Sequence, residues 1–151
     1  MLRVVSLVPS VTETLLAWGI TPVACTRFCE QPTLRHVGGT KDPEIAAIRS
    51  LEPDLVVVDR EENRREDAEA LVALGVPLHV THVVSIDDVV GTLDALSERI
   101  EAGDRSTWAA LDAPTSVRSS PPGVFVPIWR RPWMTINRET YGSSMLRACG
   151  V

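Results

Sequence analysis

The sequence predicts an α/β lobe over residues 1–84, with a parallel sheet between two layers of helices. Short apolar runs alternate with segments of helical periodicity, which is the pattern of repeated strand–helix units. One run, Leu55–Val58, is apolar throughout, as expected of a parallel strand buried on both faces. Right-handed crossovers between successive strands are the expected connections.

The first strand is predicted at Val4–Val8, and the helix that follows it is predicted to start at Ser10. Ser10 and Glu13 match a capping box, in which each side chain bonds the backbone N–H of the other residue. Gly19 is expected to end this helix, because glycine readily adopts the left-handed conformation of a helix terminus. Pro22–Cys25 is predicted to form the second strand.

A loop is predicted over Cys29–Lys41, where proline and glycine residues interrupt the apolar pattern. Asp42 is the expected N-cap of the next helix, with Pro43 at its first helical position. The third strand, Leu55–Val58, is followed by a helix predicted from about Asn63 to Leu74.

The fourth strand is predicted at Leu78–Val80. The segment Ser85–Asp88 is a second capping signal and opens a helix that runs to about Ile100. This helix lies within the region 85–112, which includes a further short helix predicted at Asp104–Leu111.

The amino-acid composition changes in the last part of the chain. Residues 113–123 are rich in proline, serine and threonine and are predicted to form a linker. Within residues 124–151, an apolar strand is predicted at Val124–Trp129 and a short helix at Thr140–Cys149.

Composition narrows the class of protein. The chain has 151 residues, 44% of them hydrophobic, and a net charge of −5 with scattered basic residues, which argues against nucleic acid as the partner. No apolar stretch approaches the roughly 18 residues of a membrane span. A strand follows Met1 almost at once with no visible signal peptide, so the cytoplasm is expected; a processed chain would look the same and would be periplasmic or extracytoplasmic.

Five segments occur together in an order typical of one receptor family. They are Arg3–Ser10 with Thr12-Glu13, Val37–Lys41, Leu51–Val56, Glu61–Asn63 and Ile128–Pro132. In these segments the chain resembles the class III solute-binding proteins, or helical-backbone metal receptors, which include the cobalamin- and iron-siderophore-binding receptors of ABC transporters. The Gly-Gly-Thr-Lys and Glu-Glu-Asn segments resemble a subgroup that often lacks an export signal.

The resemblance implies two α/β lobes, with ligand in the cleft between them and a rigid spine helix joining them. The helix at Ser85–Ile100 would be that spine, and residues 124–151 would form an incomplete second lobe. The chain would then be a fragment, a truncated product, or a protomer that another chain completes. An ABC permease is the implied partner, although Ala46 occupies the position where docking receptors carry an acid, with Glu44 two residues away.

The candidate ligand-binding residues follow predicted strands, where parallel sheets bind ligands. Each also has a purely structural interpretation: helix capping for the first group, a solvated loop for the second, a solvated first helical turn for the third, and core packing for the fourth. The groups are Pro9, Ser10 and Thr12; Thr40 and Lys41; Glu62 and Asn63; and Trp129 and Arg130.

No intrinsic cofactor and no protein-bound metal are expected. The spacing of Cys25 and Cys29 permits metal binding, with His36 as the nearest third ligand, but two ligands do not make a site. Cys25 is expected in the core and Cys29 as a loop thiol. The metal would arrive within the ligand, a corrinoid or a ferric chelate.

The sequence therefore predicts a binding module for a small-molecule metal chelate, and not an enzyme. It contains no G-x-S-x-G, P-loop or H-E-x-x-H motif. Two alternatives remain open. One is a truncated remnant or interaction protein that self-associates through its incomplete second lobe, and the other is a small-molecule hydrolase of unrecognised type.

Overall fold

The computed structural model describes residues 2–102 and 123–151. The chain divides into two compact units, Met1–His82 with Glu98–Ala102, and Val83–Ser97 with Gly103–Val151. The helix predicted at Asp104–Leu111 and all but the last residue of the linker predicted at 113–123 lie outside the described residues.

The first unit contains a four-stranded parallel sheet with the strand order β2-β1-β3-β4. This confirms the α/β fold class and all four predicted strands, with ends that differ by up to two residues. The elements are β1 Val4–Ser6, α1 Pro9–Ala17, β2 Ala24–Cys25, α2 Ile45–Ser50, β3 Leu55–Asp59, α3 Arg65–Ala73 and β4 Leu78–Thr81.

Both faces of this sheet are buried along β1 and β3, whereas β4 at the edge is more exposed. On one face, Val56 of β3 lies in a core with Ile48 of α2 and Leu71 of α3, each 0% exposed. Neighbouring strand residues that point to the opposite face, including Leu55 and Val57, are also buried. The uninterrupted apolar run of β3 is therefore explained by burial on two sides, as the sequence predicted.

The helix caps predicted for α1 and α2 are wrong. Helix α1 begins at Pro9, whose fixed φ suits the first helical position, so Val8 is the N-cap and the Ser10–Glu13 capping box does not form. Helix α2 begins later than predicted, after Glu44, because the Asp42 backbone is held in a preceding turn in which its carbonyl accepts a bond from the Gly39 N–H.

The second unit contains most of the predicted long helix, α4 Asp87–Arg99, whose last two residues lie in the first unit. The predicted capping signal is confirmed, because the Asp88 carboxylate accepts bonds from the N–H and the hydroxyl of Ser85. The predicted final helix is α5 Tyr141–Ala148, capped by the side chain of Thr140.

The strand predicted at Val124–Trp129 is observed over Pro127–Arg130, where it forms a β-hairpin with a second strand that the sequence did not predict. Strand β5, Pro127–Arg130, pairs antiparallel with β6, Trp133–Thr135, across a turn that contains a cis Arg131–Pro132 peptide. The second strand was not predicted because it is only three residues long and follows Arg131 and Pro132, which interrupt the apolar pattern. Every residue of both strands is exposed, so the core-packing interpretation of Trp129 is wrong.

No helix within residues 2–102 and 123–151 has both the length and the apolar character needed to cross a bilayer.

Candidate functional site

Three loops of the first unit converge where the parallel strands end. Because the sheet is parallel, the loops after β1, β2 and β3 all leave from its C-terminal edge. The chain reverses its direction of winding between β1 and β3, the point at which ligands of doubly wound sheets bind. We name the segments Leu7–Ser10, Gly38–Asp42 and Arg60–Asn63 the strand-end rim.

The side chain of Asn63 joins all three segments of the rim. Its amide nitrogen donates to the carbonyl of Leu7, 3.3 Å away, and to the carbonyl of Thr40, 2.9 Å away. Its amide oxygen accepts from the backbone N–H of Asp59 at 2.8 Å. The residue is only 8% exposed, so these bonds are made in a poorly hydrated place.

Lys41 makes a second connection across the rim. Its ammonium group donates to the carbonyl oxygen of Glu61 at 2.7 Å, while the side chain itself remains exposed. The loops that carry Thr40 and Glu61 are thus bonded to each other, and the Asn63 amide bonds the Leu7 carbonyl two residues before Pro9. The three loops therefore lie on the same side of the unit.

Asp59 organises the turn after β3 rather than a cation site. One carboxylate oxygen accepts from the N–H groups of Glu61 and Glu62, at 2.8 and 3.2 Å, and the other accepts from the Thr81 hydroxyl at 2.8 Å. Both oxygens of Asp59 are therefore engaged, and β3 is joined to the end of β4. Within residues 2–102 and 123–151, no group of three or more His, Cys, Asp or Glu side chains is arranged to hold a metal.

Two glycines allow the Gly38–Asp42 loop to fold tightly. Gly38 has φ +87°, and a Cβ there would collide with the backbone of Asp42 and lie 2.9 Å from the nitrogen of Glu44. A Cβ on Gly39 would lie 2.8 Å from the guanidinium of Arg27. The loop is thus packed against Arg27, whose Nη2 lies 2.9 Å from both carboxylate oxygens of Asp42.

Phe28 is a candidate ligand-binding residue that the sequence reasoning missed. It follows β2 by three residues and is 56% exposed, and the Arg27 guanidinium carbon lies 4.9 Å from its ring centroid. The Asp42 contact links this cation–aromatic pair to the Gly38–Asp42 loop. An aromatic residue three positions after a predicted strand was the available signal, but Phe28 was assigned to no element and no site.

Thr12 belongs to a buried polar chain behind the rim. It is 0% exposed, its hydroxyl donates to the Val8 carbonyl at 3.2 Å, and it accepts from the thiol of Cys29 at 3.3 Å. Cys29 also contacts the Thr26 hydroxyl and is 5% exposed, so it is a buried loop thiol. Burial, and then the nearby Cys29, raise the pKa of the Cys25 thiol to about 12, which keeps it protonated.

The predicted site residues of the first unit fall into two groups. Thr12 is 0% exposed, so the expectation that it contacts a ligand directly is corrected; Asn63 is 8% exposed with its amide bonded to three backbone groups, so it positions the loops, and its contact with a ligand stays a prediction. The remaining residues are accessible at the rim or beside it. Pro9 and Thr40 are half-buried, and Ser10, Lys41 and Glu62 are exposed.

Trp129 and Arg130 lie in the second unit, on the exposed strand β5. The indole N–H of Trp129 donates to the Arg131 carbonyl at 3.1 Å, which holds the ring along the hairpin turn. The rings of Phe125 and Trp133 are in edge-to-face contact, with centroids 6.4 Å apart. The hairpin thus presents several aromatic groups and two arginines on one short segment.

Comparison with known sequences finds relatives with a binding function in their names. The vitamin B12-binding proteins of Yersinia pestis strain Pestoides F and Yersinia pseudotuberculosis strain YPIII are each 28% identical over 162 aligned positions, covering 98% of this chain. The chain spans only 58% of the length of these relatives. No model of a known protein family matches the chain.

Solved structures have the same fold. The periplasmic vitamin B12 binding protein BtuF of Vibrio cholerae has a TM-score of 0.80 at 23% identity, over 98% of this chain and 64% of that protein. The periplasmic heme-binding protein HutB of Vibrio cholerae has a TM-score of 0.81 at 18% identity, over 99% of this chain and 64% of that protein. The resemblance stated from the sequence motifs, and the α/β fold class, are both confirmed.

Proposed function

We propose that this chain is the ligand-binding module of a receptor for a metal chelate of the cobalamin or iron-siderophore type, related to ABC transport. The observation that carries the proposal is the strand-end rim, three loops bonded together at the point where the sheet reverses its winding. Relatives named as vitamin B12-binding proteins support the choice of ligand class.

The rim offers the mixture of groups that such a ligand needs. Lys41 retains ammonium protons beyond the one given to Glu61 and suits a carboxylate or amide oxygen at the ligand edge. Phe28, with Arg27 against its ring, offers a flat surface to a macrocycle. Ser10 and Glu62 add exposed polar groups to the rim; Trp129 and Arg130 of the second unit stay predicted ligand-binding residues in their own right.

We propose binding without catalysis. The chelate would supply its own metal, so the protein would need neither an intrinsic cofactor nor metal ligands of its own. The named relatives are binding proteins, which supports this proposal over the hydrolase alternative.

We further propose an extracytoplasmic location. The structural neighbours BtuF and HutB are described as periplasmic, which supports the processed-chain alternative; the expectation of a cytoplasmic protein gains no support. An ABC permease is the proposed partner. Ala46 is exposed on α2, so a permease would meet a small apolar side chain at this position rather than an acid.

Titration with cyanocobalamin, haemin and a ferric hydroxamate siderophore tests the ligand class. We expect quenching of tryptophan fluorescence and a change in ligand absorbance for at least one of them. Lys41→Ala and Phe28→Ala should each weaken that binding by roughly tenfold. Arg65→Ala, which removes an exposed ion pair with Glu69 on α3, is the matched control and should leave affinity unchanged. The absence of any response at high micromolar ligand would refute the proposal.

A second candidate function is self-association through the hairpin. Ile128, Trp129 and Trp133 are 54%, 63% and 64% exposed, and Trp and Arg are enriched in protein interfaces. In this candidate a second copy of the chain covers the hairpin. Light scattering across a concentration series should then show a dimer that Trp129→Glu with Trp133→Glu dissociates; a monomer at all concentrations would exclude it.

A further inference from the structure

We infer that Asn63 is a positioning residue that closes the crevice between β1 and β3, so that ligand is received on top of the strand-end rim and not inserted between the strands. The part of this inference that concerns ligand rests on the proposed function. The part that concerns loop order stands on the hydrogen bonds alone.

The Asn63 side chain continues the hydrogen bonding between β1 and β3 at the point where the backbone ladder ends. The N–H of Leu7 still bonds to the carbonyl of Val57 at 2.9 Å, as in the ladder between β1 and β3. The Leu7 carbonyl has no strand partner in this direction and bonds to the Asn63 amide instead. The same amide accepts from Asp59 at the end of β3, so it spans the gap that a ligand would otherwise enter.

The chemistry of the position requires a carboxamide. Two backbone carbonyls, of Leu7 and Thr40, need donors, and one backbone N–H, of Asp59, needs an acceptor. Asparagine supplies two N–H donors and one carbonyl acceptor on a single short side chain. An ionised aspartate supplies no donor, and serine supplies only one. These surroundings also settle which end of the amide faces which partner.

Burial makes the arrangement sensitive to substitution. Asn63 is 8% exposed, so a carbonyl that loses its donor is not readily rehydrated. The Gly38–Asp42 loop depends most on this amide, because the side chains of Asn63 and Lys41 make the two hydrogen bonds that join this loop to the segment after β3. Loss of the Asn63 amide should release this loop without unfolding the sheet, whose core lies below the rim.

Amide hydrogen exchange of residues 37–44 in Asn63→Asp and Asn63→Ala tests the inference. At pH 8, both variants should exchange in this segment roughly tenfold faster than the wild type, after correction for intrinsic rates. Ser144→Ala is the matched control: Ser144 is also 8% exposed and connects Ile86 to Tyr141 in the second unit. It should leave the exchange of residues 37–44 unchanged.

The pH dependence of the aspartate variant separates positioning from general stability. Burial and the facing carbonyls should raise the pKa of the new carboxyl group, so that near pH 5 it is protonated and regains one donor. The excess exchange of Asn63→Asp should therefore shrink at pH 5, whereas that of Asn63→Ala should not. If exchange stays within twofold of the wild type in both variants, or if both lose the whole fold at both pH values, the inference is overturned.

Binding of haemin and cyanocobalamin completes the test. If either probe binds the wild type, Asn63→Ala should weaken that affinity roughly tenfold. In the variant, only a fraction of the molecules would then have the rim in the conformation that binds ligand. Unchanged affinity in a variant with fast loop exchange would overturn the role in ligand reception. If neither probe binds the wild type, the proposed function fails, while the exchange experiment still decides the role of Asn63 in loop order.

Discussion

Strand β3 of the first unit and strand β5 of the second are both short and largely apolar, yet their surroundings differ completely. Leu55–Val58 of β3 are at most 3% exposed, between parallel neighbours and below packed helices. Ile128 and Trp129 of β5 are 54% and 63% exposed, and within the described residues β5 pairs only with the three residues of β6. Apolar residues predict a strand in both cases, but burial requires neighbouring elements, and the first unit has them.

The largest expected contrast comes from placing a charge in each strand. Val57→Asp buries an unpaired carboxylate at a position that is 0% exposed and should destabilise the fold by about 4 kcal/mol or more. Ile128→Asp should cost less than about 1 kcal/mol, because the side chain already meets water. Urea denaturation followed by circular dichroism measures both, and equal losses would break the comparison.

Neighbouring residues of α3 give the next contrast. Leu71 is 0% exposed in the sheet core, so Leu71→Ala should cost about 3 kcal/mol through lost burial and the cavity left behind. Val72 is 59% exposed, and Val72→Ala should change the free energy of unfolding by less than about 0.5 kcal/mol. The same denaturation measurement applies; a costly Val72→Ala would show that something covers this face.

Two glycines with positive φ sharpen the comparison within the first unit. Gly75→Ala should cost about 1 kcal/mol, since its φ of +74° disfavours a side chain but a Cβ meets nothing within 4 Å. Gly38→Ala should cost about 2 kcal/mol or more, because its Cβ also meets the backbone of Asp42. Thermal unfolding compares the two variants. Equal losses of stability would show that the Gly38–Asp42 loop rearranges readily to accommodate a Cβ at position 38.

The smallest expected effect is on pH dependence. Burial of His79 in β4, and then the positive charge of Arg99, lower the pKa of the imidazole below its usual 6.5. The unfolded chain therefore binds a proton first, so stability should fall as pH drops below about 6.5 and level off below the folded-state pKa. His79→Gln should flatten this slope between pH 7 and 5, while the exposed His36→Gln should retain it.

Much of the fold could be predicted because its signals are local. The apolar run of β3, the glycine that ends α1 and the capping signal at Ser85 each act over a few residues, and the structure contains all of them. The predicted cap at Ser10 failed because the adjacent Pro9 takes the first helical position, whereas the carboxylate of Asp42 is engaged by a non-local partner. Asp42 bonds to Arg27, fifteen residues away, and no local pattern records that partner.

The candidate site was predicted in part. Placing polar residues after parallel strands correctly brought Thr40 and Asn63 to one edge of the sheet. It did not distinguish residues that face solvent from residues that hold loops, so Thr12 and Asn63 were assigned to ligand contact and Phe28 was overlooked. Strand-end position follows from topology, but exposure depends on which side chains from other segments fill the space.

The sequence by itself determined the order of strands and helices in the first unit, because apolar periodicity and turn residues act through neighbours along the chain. Only the tertiary structure decided that the amide of Asn63 meets the carbonyls of Leu7 and Thr40, 56 and 23 residues away. It also decided that the apolar residues of the hairpin remain exposed. Both outcomes depend on groups brought together from distant parts of the chain, for which a local sequence pattern carries no signal.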